Sequence, residues 1–409
     1  MNTNYQIKIS VFVLIIVSLF GFGEKKQTAK ENTLDSPKLE ESYMAHTTKQ
    51  EQDSTHTRLV WQGSLNDEVK PRKRDILGRS KLNTIGDITG DGNAELIHLD
   101  GEWNKQQNAF NGKIKILRWK NKELKILWTS QKIYSDVTSL STGDIDNNKR
   151  DEVIIALKRK LLIFEWNSDS LALNNAMDFS ARKVPITIEP EAEGAWKEPM
   201  NTDPGVIGNL AVGTLSKSDG KAILVLVCLD SLNINPISAI GNYHLECYSV
   251  SEEKINLIPN IVGTMSSWTT SPKLQLGDVN NDNVTELIVT TFGSDWSDIG
   301  AFFYDPGINE YHYKKIVLDS GVMIPVAVVD IDGDNNNDLI TCGSNYTLQV
   351  LHEIQIYKWQ DECFSFFKSI KAKSLEYGSE FVWIGDLSGD KKLEMVIIDE
   401  DYSMVYELY

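Results

Sequence analysis

Closely spaced carboxylates dominate one short stretch of the chain, VVDIDGDNNNDLI (328–340). Counted from its first Asp, side-chain oxygens stand at positions 1, 3, 5 and 9, which are Asp330, Asp332, Asp334 and Asp338. Carboxylates this close repel one another in a folded chain unless a positive charge lies among them. A tight turn can point alternating oxygens inward, and a backbone carbonyl at position 7 and water would complete the shell of a hard cation, Ca²⁺ before Mg²⁺. The stretch therefore predicts a cation site.

The same spacing recurs in four further loops. Their predicted metal ligands are Asp87, Thr89, Asp91 and Glu95; Asp144, Asp146, Asn148 and Glu152; Asp278, Asn280, Asp282 and Glu286; and Asp386, Ser388, Asp390 and Glu394. Asp, Asn and Gly also favour plain hairpin turns, but that preference does not explain an acid recurring at position 9. In two loops Lys149 and Lys391 replace the turn glycine, which weakens the prediction there.

Two other classes of metal site do not fit these loops. An EF-hand requires a Glu at position 12, and that position holds His98, Ile155, Val289, Thr341 or Ile397. No His or Cys stands at a ligand position, which disfavours zinc and copper. A sixth, degenerate copy, VGTLSKSDGKAILVLV (212–227), has one residue inserted in its loop; it has Thr214 at position 1 and, allowing for the insertion, Ile223 at position 9, so we expect it to bind no metal.

The residues around each loop predict β-strands. An apolar stretch enters the loop, a β-branched run such as ELIVTT leaves it, and two alternating segments usually follow. Repeated units of four short strands indicate an all-β fold, a β-propeller with six blades or, alternatively, seven. RLVWQGSL (58–65) is similar to the outer strand LKILWTSQ (124–131), so we expect this N-terminal strand to complete the last blade and close the propeller.

The loop sequence GDITGDGNAEL and its sister copies resemble the FG-GAP/VCBS repeats of integrin-type propellers and of exported bacterial proteins, over about 57–409. The resemblance implies up to five Ca²⁺ ions, mainly structural, in the loop between the first two strands of each blade. It also implies a binding or cell-adhesion module.

The N-terminal region is typical of an exported protein. Residues 1–23 contain a short apolar run that ends in Gly21 and Gly23, which predicts a cleaved signal peptide; an uncleaved anchor is the alternative. The polar segment 24–56 predicts a disordered linker before the propeller at 57–409. We expect a secreted, periplasmic or cell-surface protein with no membrane span after cleavage. The net charge of −17 disfavours nucleic acid as a partner.

No catalytic motif stands out. The repeat region has four histidines, His98, His244, His312 and His352, and they are scattered over its length. It has no G-x-S-x-G, Walker A or H-E-x-x-H motif, and we expect no cluster of His, Tyr and Arg. Cys228 and Cys247 are a candidate disulfide on neighbouring strands, with ordinary core thiols as the alternative.

Aromatic residues predict a second face, opposite the acidic loops. The candidates are Trp103, Trp196, Trp268, Trp296, Tyr346 and Tyr377, in segments expected to be loops. Large aromatic side chains on loops often serve recognition, although they can also cap the ends of blades. We therefore expect a non-enzymatic, calcium-stabilised propeller that binds a protein or glycan. The alternatives are a lyase-type enzyme acting on polysaccharide and a structural subunit of a surface assembly.

Overall fold

The computed structural model describes residues 57–63, 82–104, 109–188, 205–213, 223–234, 239–249, 273–292, 297–305, 310–317, 322–345, 350–360, 362–370, 381–398 and 403–408. Contacts divide the chain into two units, 1–52 and 53–409, and all described residues belong to the second. The predicted signal peptide and linker thus lie outside the described residues. Within the described part every regular element is a β-strand, so the predicted all-β class is confirmed. A helix long and apolar enough to cross a membrane is not found among the residues described.

The strands form consecutive antiparallel groups, which we call meanders 1 to 6. Meander 1 contains β2 (Asn83–Gly86), β3 (Glu95–Asn104), β4 (Ala109–Lys120) and β5 (Glu123–Thr129). Meander 2 contains β6 (Tyr134–Gly143), β7 (Glu152–Leu157), β8 (Lys160–Asn167) and β9 (Ser170–Asp178). Meander 3 contains β11 (Ile207–Gly213), β12 (Ile223–Ile234) and β13 (Ala239–Ser249), and the short β10 (Ile186–Ile188) pairs with β12 in parallel.

The second half of the chain repeats this arrangement. Meander 4 contains β14 (Lys273–Gly277), β15 (Glu286–Phe292), β16 (Ser297–Asp305) and β17 (Glu310–Val317). Meander 5 contains β18 (Val322–Val329), β19 (Asp338–Asn345), β20 (Val350–Gln360) and β21 (Cys363–Ile370). Meander 6 contains β22 (Phe381–Gly385), β23 (Glu394–Ile398) and β24 (Ser403–Leu408).

The N-terminal strand β1 (Thr57–Gly63) adds to the last meander. It pairs antiparallel with β24, from Thr57 opposite Leu408 to Gly63 opposite Ser403. The order of this sheet is β22, β23, β24, β1, so the first strand of the described residues supplies the fourth strand of the last group. The expectation that RLVWQGSL pairs with the C-terminal strands agrees with this observed pairing.

The second strand of each meander is buried on both of its faces. In β7, Val153 and Ile155 pack into a core shared with meander 1, whereas Ile154 and Ala156 pack into a core shared with meander 3. Because side chains alternate across a strand, a strand between two neighbouring sheets must be apolar at nearly every position. This explains the β-branched runs that follow the acidic loops.

Six such clusters join the meanders in order. They lie between meanders 1 and 2, 2 and 3, 3 and 4, 4 and 5, and 5 and 6, and the sixth cluster joins meander 6 to meander 1 through Leu387, Val396 and Leu96. The first strands follow the same succession, since β2 contacts β6, β6 contacts β11, β11 contacts β14, β14 contacts β18, β18 contacts β22, and β22 contacts β2.

The glycine before the first Asp of most loops is required by this close approach of first strands. A Cβ on Gly86 would lie 2.7 Å from the Cβ of Thr142 in β6, and a Cβ on Gly277 would overlap the Cβ of Val328 in β18. Gly143 and Gly213 face the next first strand in the same way. The glycine of the G-D repeat therefore leaves room for the neighbouring sheet.

The candidate disulfide between Cys228 and Cys247 is not formed, and both remain thiols. Cys228 stands opposite His244 and Cys247 stands opposite Val225, so the two cysteines are offset along the strand pair. Their side chains point to opposite faces of the sheet, where Cys228 joins the core shared with meander 2 and Cys247 joins the core shared with meander 4. The alternative, ordinary core thiols, holds for this pair.

We predict that Gly277→Ala destabilises the protein by about 1–3 kcal/mol, because the added methyl group would overlap the Cβ of Val328 and force the two strands apart. Gly385→Ala is the matched control, since its Cβ would lie 3.3 Å from the nearest atom, Cγ2 of Ile85. Urea unfolding of both variants measures the difference. Equal losses of stability would contradict a steric role for Gly277.

Candidate metal centres

The five acidic loops share one backbone conformation. We name them by their first residue: loop 87 (87–95), loop 144 (144–152), loop 278 (278–286), loop 330 (330–338) and loop 386 (386–394). Positions 4 and 6 have positive φ in every loop, at Gly90 and Gly92, Asn147 and Lys149, Asn281 and Asn283, Gly333 and Asn335, and Gly389 and Lys391. The two lysines that replace glycine thus adopt the same left-handed conformation, with φ of 69° at Lys149 and 67° at Lys391.

The carboxylate at position 1 holds this turn together. In loop 330, Oδ1 of Asp330 accepts hydrogen bonds from the backbone N–H groups of Gly333 (2.7 Å) and Asp334 (3.1 Å), and Oδ2 accepts one from Asn335 (2.8 Å). The backbone N–H at position 6 donates to the position-1 carboxylate in all five loops. An Asp at position 1 therefore has a role in the fold before any metal is considered.

The acid at position 9 is buried where the second strand begins. Glu95, Glu152, Glu286, Asp338 and Glu394 are each at most 3% exposed. In every loop except loop 87, the backbone N–H at position 2 donates to this carboxylate, at 2.7–3.3 Å. One hydrogen bond does not offset the cost of burying a carboxylate among other acids.

The pKa values of these carboxyl groups report the same cost. The pKa of Glu286 is raised to about 8, mainly by burial, with the nearby Asp282 and Asp278 acting in the same direction. Burial raises the pKa of Glu152 to about 7, with Asp146, Asp144 and Glu165 acting in the same direction. Each carboxyl group therefore favours a bound proton unless a cation lies close by. A metal ion would compete with that proton for the same carboxylate oxygens.

Loop 144 has a donor set that fits a divalent cation. Carboxylate oxygens of Asp144, Asp146 and Glu152 all lie within 4.8 Å of one another. Val153 stands opposite Phe164 in the β7–β8 pair, and this register places another acid, Glu165, opposite Glu152. Among the residues that the structure describes, no Lys or Arg forms an ion pair with these three ligands. Oxygen donors with several negative charges and no internal counter-ion suit Ca²⁺.

Loop 330 brings the same three positions together but holds a lysine between them. Oxygens of Asp330, Asp332 and Asp338 lie within 4.8 Å of one another. The Nζ of Lys358, on β20, lies 2.9 Å from Asp332, 2.7 Å from Asp334 and 3.3 Å from Asp338. The stretch with the most carboxylates in the sequence thus already contains a positive charge.

Loop 87 holds an arginine in the corresponding place. Nη1 of Arg118, on β4, lies 3.0 Å from Asp91, while Nε and Nη2 donate to Oε1 of Glu95 at 2.8 and 2.6 Å. Nη2 also donates to Oγ1 of Thr89 at 2.7 Å. The guanidinium group therefore contacts ligand positions 3, 5 and 9.

In the remaining two loops, the described contacts involve the predicted ligands that lie in the turn. In loop 278, Asn280 donates to Asp282 at 3.1 Å, and Asp278 accepts from the backbone of Asp282 and Asn283. In loop 386, Asp390 lies 3.8 Å from Nζ of the exposed Lys392, a long contact compared with those of Lys358. The loop of the sixth copy starts at Thr214, outside the described residues, and its position 9, Ile223, is the first residue of β12.

Neighbouring loops contact one another directly. The backbone N–H of Asp151 donates to the carbonyl of Asp87 at 2.9 Å, and Oδ2 of Asp151 accepts from the N–H of Asp87 at 2.9 Å. Asn337 of loop 330 donates to the carbonyl of Asp278 at 2.9 Å. Ala94 of loop 87 donates to the carbonyl of Asp386 at 3.1 Å, which joins the last loop to the first.

The predicted aromatic face lies almost wholly outside the described residues. That holds for Trp196, Trp268, Trp296, Tyr346 and Tyr377. Trp103 is described in its backbone, and it lies on β3 opposite Phe110, where a loop was expected. The β3–β4 hairpin is longer than the sequence suggested, because the polar run around Gly101 and Asn111 continues the strand pairing.

A polar cluster that the sequence analysis missed lies between meanders 2 and 3. The buried carboxylate of Glu246 contacts Arg182 at 2.7 Å, His244 at 2.7 Å and the hydroxyl of Tyr248, while Nδ1 of His244 lies 2.8 Å from Asp230. The expectation of no His, Tyr and Arg cluster is therefore wrong. The alternation His244, Glu246, Tyr248 on β13 could have revealed the shared face, but nothing in the sequence places Arg182 beside them.

We predict that, in chelator, the free energy of unfolding falls as the pH rises from about 4.5 to about 8, because the folded protein retains the proton of Glu286 that the unfolded chain releases near 4.5. A pKa that is higher in the folded than in the unfolded state adds to the free energy of unfolding below about pH 4.5. This contribution is lost as the pH rises to about 8. Urea unfolding at several pH values should show a flatter dependence in Glu286→Gln. Glu123→Gln, at an exposed side chain, is the control; an unchanged slope in Glu286→Gln would contradict the prediction.

Neither a protein-family model nor a curated protein matches the chain. Among solved structures, the chain is similar to the one described as the crystal structure of exotype rhamnogalacturonan lyase YesX, with 13% sequence identity and a TM-score of 0.37. The match covers 80% of this chain and 46% of that chain, so the chain spans less than half the length of that enzyme. A likeness at this level carries no argument about activity, and the resemblance to FG-GAP/VCBS repeats stays a prediction that rests on the loops.

Proposed function

We propose that the chain is an FG-GAP/VCBS-type six-bladed β-propeller whose blades are stabilised by Ca²⁺ and which serves as an exported, non-enzymatic binding module for a protein or glycan. The observation that carries the proposal is the repetition of one loop conformation, with a buried acid at position 9, in five of the six meanders. Hairpin preference alone would not place a costly buried carboxylate at the same position five times.

Six blades and a closed arrangement are supported by the contacts between first strands. Each first strand contacts the next, and β22 contacts β2. The cluster of Leu96, Leu117, Leu387, Val396 and Val405 lies between the last meander and the first. Addition of β1 to β24 provides the fourth strand of the last blade. In this proposal the N-terminal strand closes the propeller and leaves no unpaired radial edge.

A metal ion in these loops would link the turn to the strand that follows it. Positions 1, 3 and 5 belong to the turn, whereas position 9 is the first residue of the second strand, as Glu152 is of β7. When bound, the ion supplies a positive charge that replaces the proton on the buried acid. Asp144, Asp146 and Glu152 would hold it in loop 144, the loop whose fit is clearest. Because neighbouring loops are hydrogen-bonded to each other, ordering one loop should also order the next.

The cluster around Glu246 supports a structural role more than a catalytic one. Burial and the adjacent Glu246 raise the pKa of Tyr248, so its hydroxyl keeps the proton that a general base would have to lose. Hydrogen bonding to Glu246 raises the pKa of His244, and Arg182 balances the remaining charge. Such a satisfied network joins two sheets without offering an accessible base, in keeping with the proposed non-enzymatic function.

We predict that saturating Ca²⁺ raises the melting temperature of the full chain and that chelator lowers it. A ligand that binds only the folded state stabilises it by about 2.7 kcal/mol per site at a hundredfold excess over Kd. Asp146→Asn should reduce the Ca²⁺-dependent shift, because it removes charge from loop 144, whereas Asp169→Asn, in an exposed turn, should not. Calorimetric melts measure all three proteins, and a melting temperature independent of Ca²⁺ would rule out the proposed role.

The binding and lyase functions are separated by one assay on purified protein. A panel of neutral and acidic polysaccharides is added, and both bound polymer and the ultraviolet absorbance of unsaturated lyase products are measured. We expect no rise in absorbance with any polysaccharide. The protein should retain at least one polymer if its partner is a glycan and none if its partner is a protein. A steady rise in absorbance with an acidic polysaccharide would overturn the non-enzymatic proposal in favour of a lyase.

A further inference from the structure

We propose that Arg118 and Lys358 are built-in cations that take the place of a metal ion in loops 87 and 330, so that at most three of the five acidic loops bind a divalent cation. This inference rests on the proposed calcium-stabilised propeller and specifies which of its loops take the metal. Acid content alone would make loop 330 the strongest candidate metal site, since it carries the most carboxylates of the five loops. The inference excludes this loop instead.

Lys358 occupies the centre of loop 330. Its ammonium group has three N–H donors, and it contacts the three carboxylates of Asp332, Asp334 and Asp338, at 2.9, 2.7 and 3.3 Å. These are ligand positions 3, 5 and 9. The lysine side chain is 17% exposed and Asp338 is 1% exposed, so water screens the contacts less than it does at the surface.

Arg118 makes the equivalent set of contacts in loop 87, with a geometry suited to its planar donors. Its guanidinium group bonds Glu95 through two nitrogens and reaches Asp91 and Thr89 as well. Glu95 is fully buried, and its Oε1 forms an ion pair with Arg118 at 2.6 Å. Loop 87 also lacks the position-2 N–H bond to the position-9 acid, since Ile88 donates to the carbonyl of Gly86.

In loops 87 and 330 the internal cation stands on the neighbouring strand, directly opposite the acid at position 9. In the strand pairing, Glu95 stands opposite Arg118, and Asp338 stands opposite Lys358. The residue opposite Glu394 is Glu407, and the register of β7 and β8 places Glu165 opposite Glu152. A basic residue at this position supplies the missing positive charge from within the chain, whereas an acid adds to the charge that an external cation must balance.

A divalent ion could enter loop 330 or loop 87 only by displacing these groups. An ammonium or guanidinium group a few ångström from the metal position repels a second cation, and each would lose several charge-assisted hydrogen bonds on leaving. Loop 144 presents no such obstacle among the described residues, because none of its three carboxylate ligands has a Lys or Arg partner there. The two kinds of loop therefore differ in charge although their backbones are alike.

The test is the number of Ca²⁺ ions bound by the full chain, measured by isothermal titration calorimetry and native mass spectrometry. We expect no more than three ions for the unmodified protein. Lys358→Met keeps the length of the side chain but removes its charge, and we expect it to bind one more ion and to gain a larger Ca²⁺-dependent rise in melting temperature. Lys314→Met is the matched control, since it removes the ion pair between Lys314 on β17 and Glu362 in the turn before β21, and it should bind no additional ion.

Further variants keep the test decisive. Arg118→Met should also add one ion, and it serves if Lys358→Met fails to fold; Lys358→Arg keeps the charge and should leave the number unchanged. Four or five ions in the unmodified protein, or no additional ion in folded Lys358→Met or Arg118→Met, would overturn the inference. If the unmodified protein binds no ion while Lys358→Met binds one, the proposed calcium function fails and the built-in cation is supported.

Discussion

The close packing of neighbouring first strands is the constraint on which the other features depend. At Gly86, Gly143 and Gly277 the backbone of one sheet lies so near the next sheet that a methyl group has no room. Sheets this close bury the second strand on both faces, which requires an almost continuous apolar run there. The polar turn between the two strands is then held at the edge of the sheet, beside the turn of its neighbour, as the paired hydrogen bonds of Asp87 and Asp151 show.

This packing makes the acidic loops electrostatically unfavourable unless their charge is neutralised. A carboxylate at position 9 lies at the end of a buried strand, where water cannot solvate it, and the turn adds two or three more carboxylates nearby. Such a cluster is stable only if it binds protons or is neutralised. Arg118 and Lys358 place a positive charge among the carboxylates of two loops, whereas in loop 144 no described Lys or Arg pairs with the three clustered carboxylates, where we propose an external cation. A shared backbone conformation thus supports two electrostatic solutions.

Much of the repeated architecture could be predicted because it is written in local patterns. Strand alternation, the G-D turn and the resemblance of RLVWQGSL to an outer strand indicated four-strand units and the pairing of β1 with the C-terminal strands. Long-range placements could not be predicted in this way. The position of Trp103 within β3 depended on how far a hairpin continues, and the cluster of Arg182, His244 and Tyr248 depended on two separate segments meeting between sheets. The proposed Cys228–Cys247 bond failed because strand pairing offset the two residues to opposite faces.

The sequence by itself determined the all-β class, the repeat and the conformation of the loops, since these follow from residue types a few positions apart. It placed the acids of loop 330 together but did not reveal Lys358 among them. Glu95 and Arg118 are separated by a long hairpin, whereas Glu152 and Glu165 are separated by a short one, so no constant spacing marks the residue that stands opposite position 9. Only the register of the paired strands decided which loops have an internal cation, because a shift of one residue in that register would turn the basic side chain to the other face of the sheet.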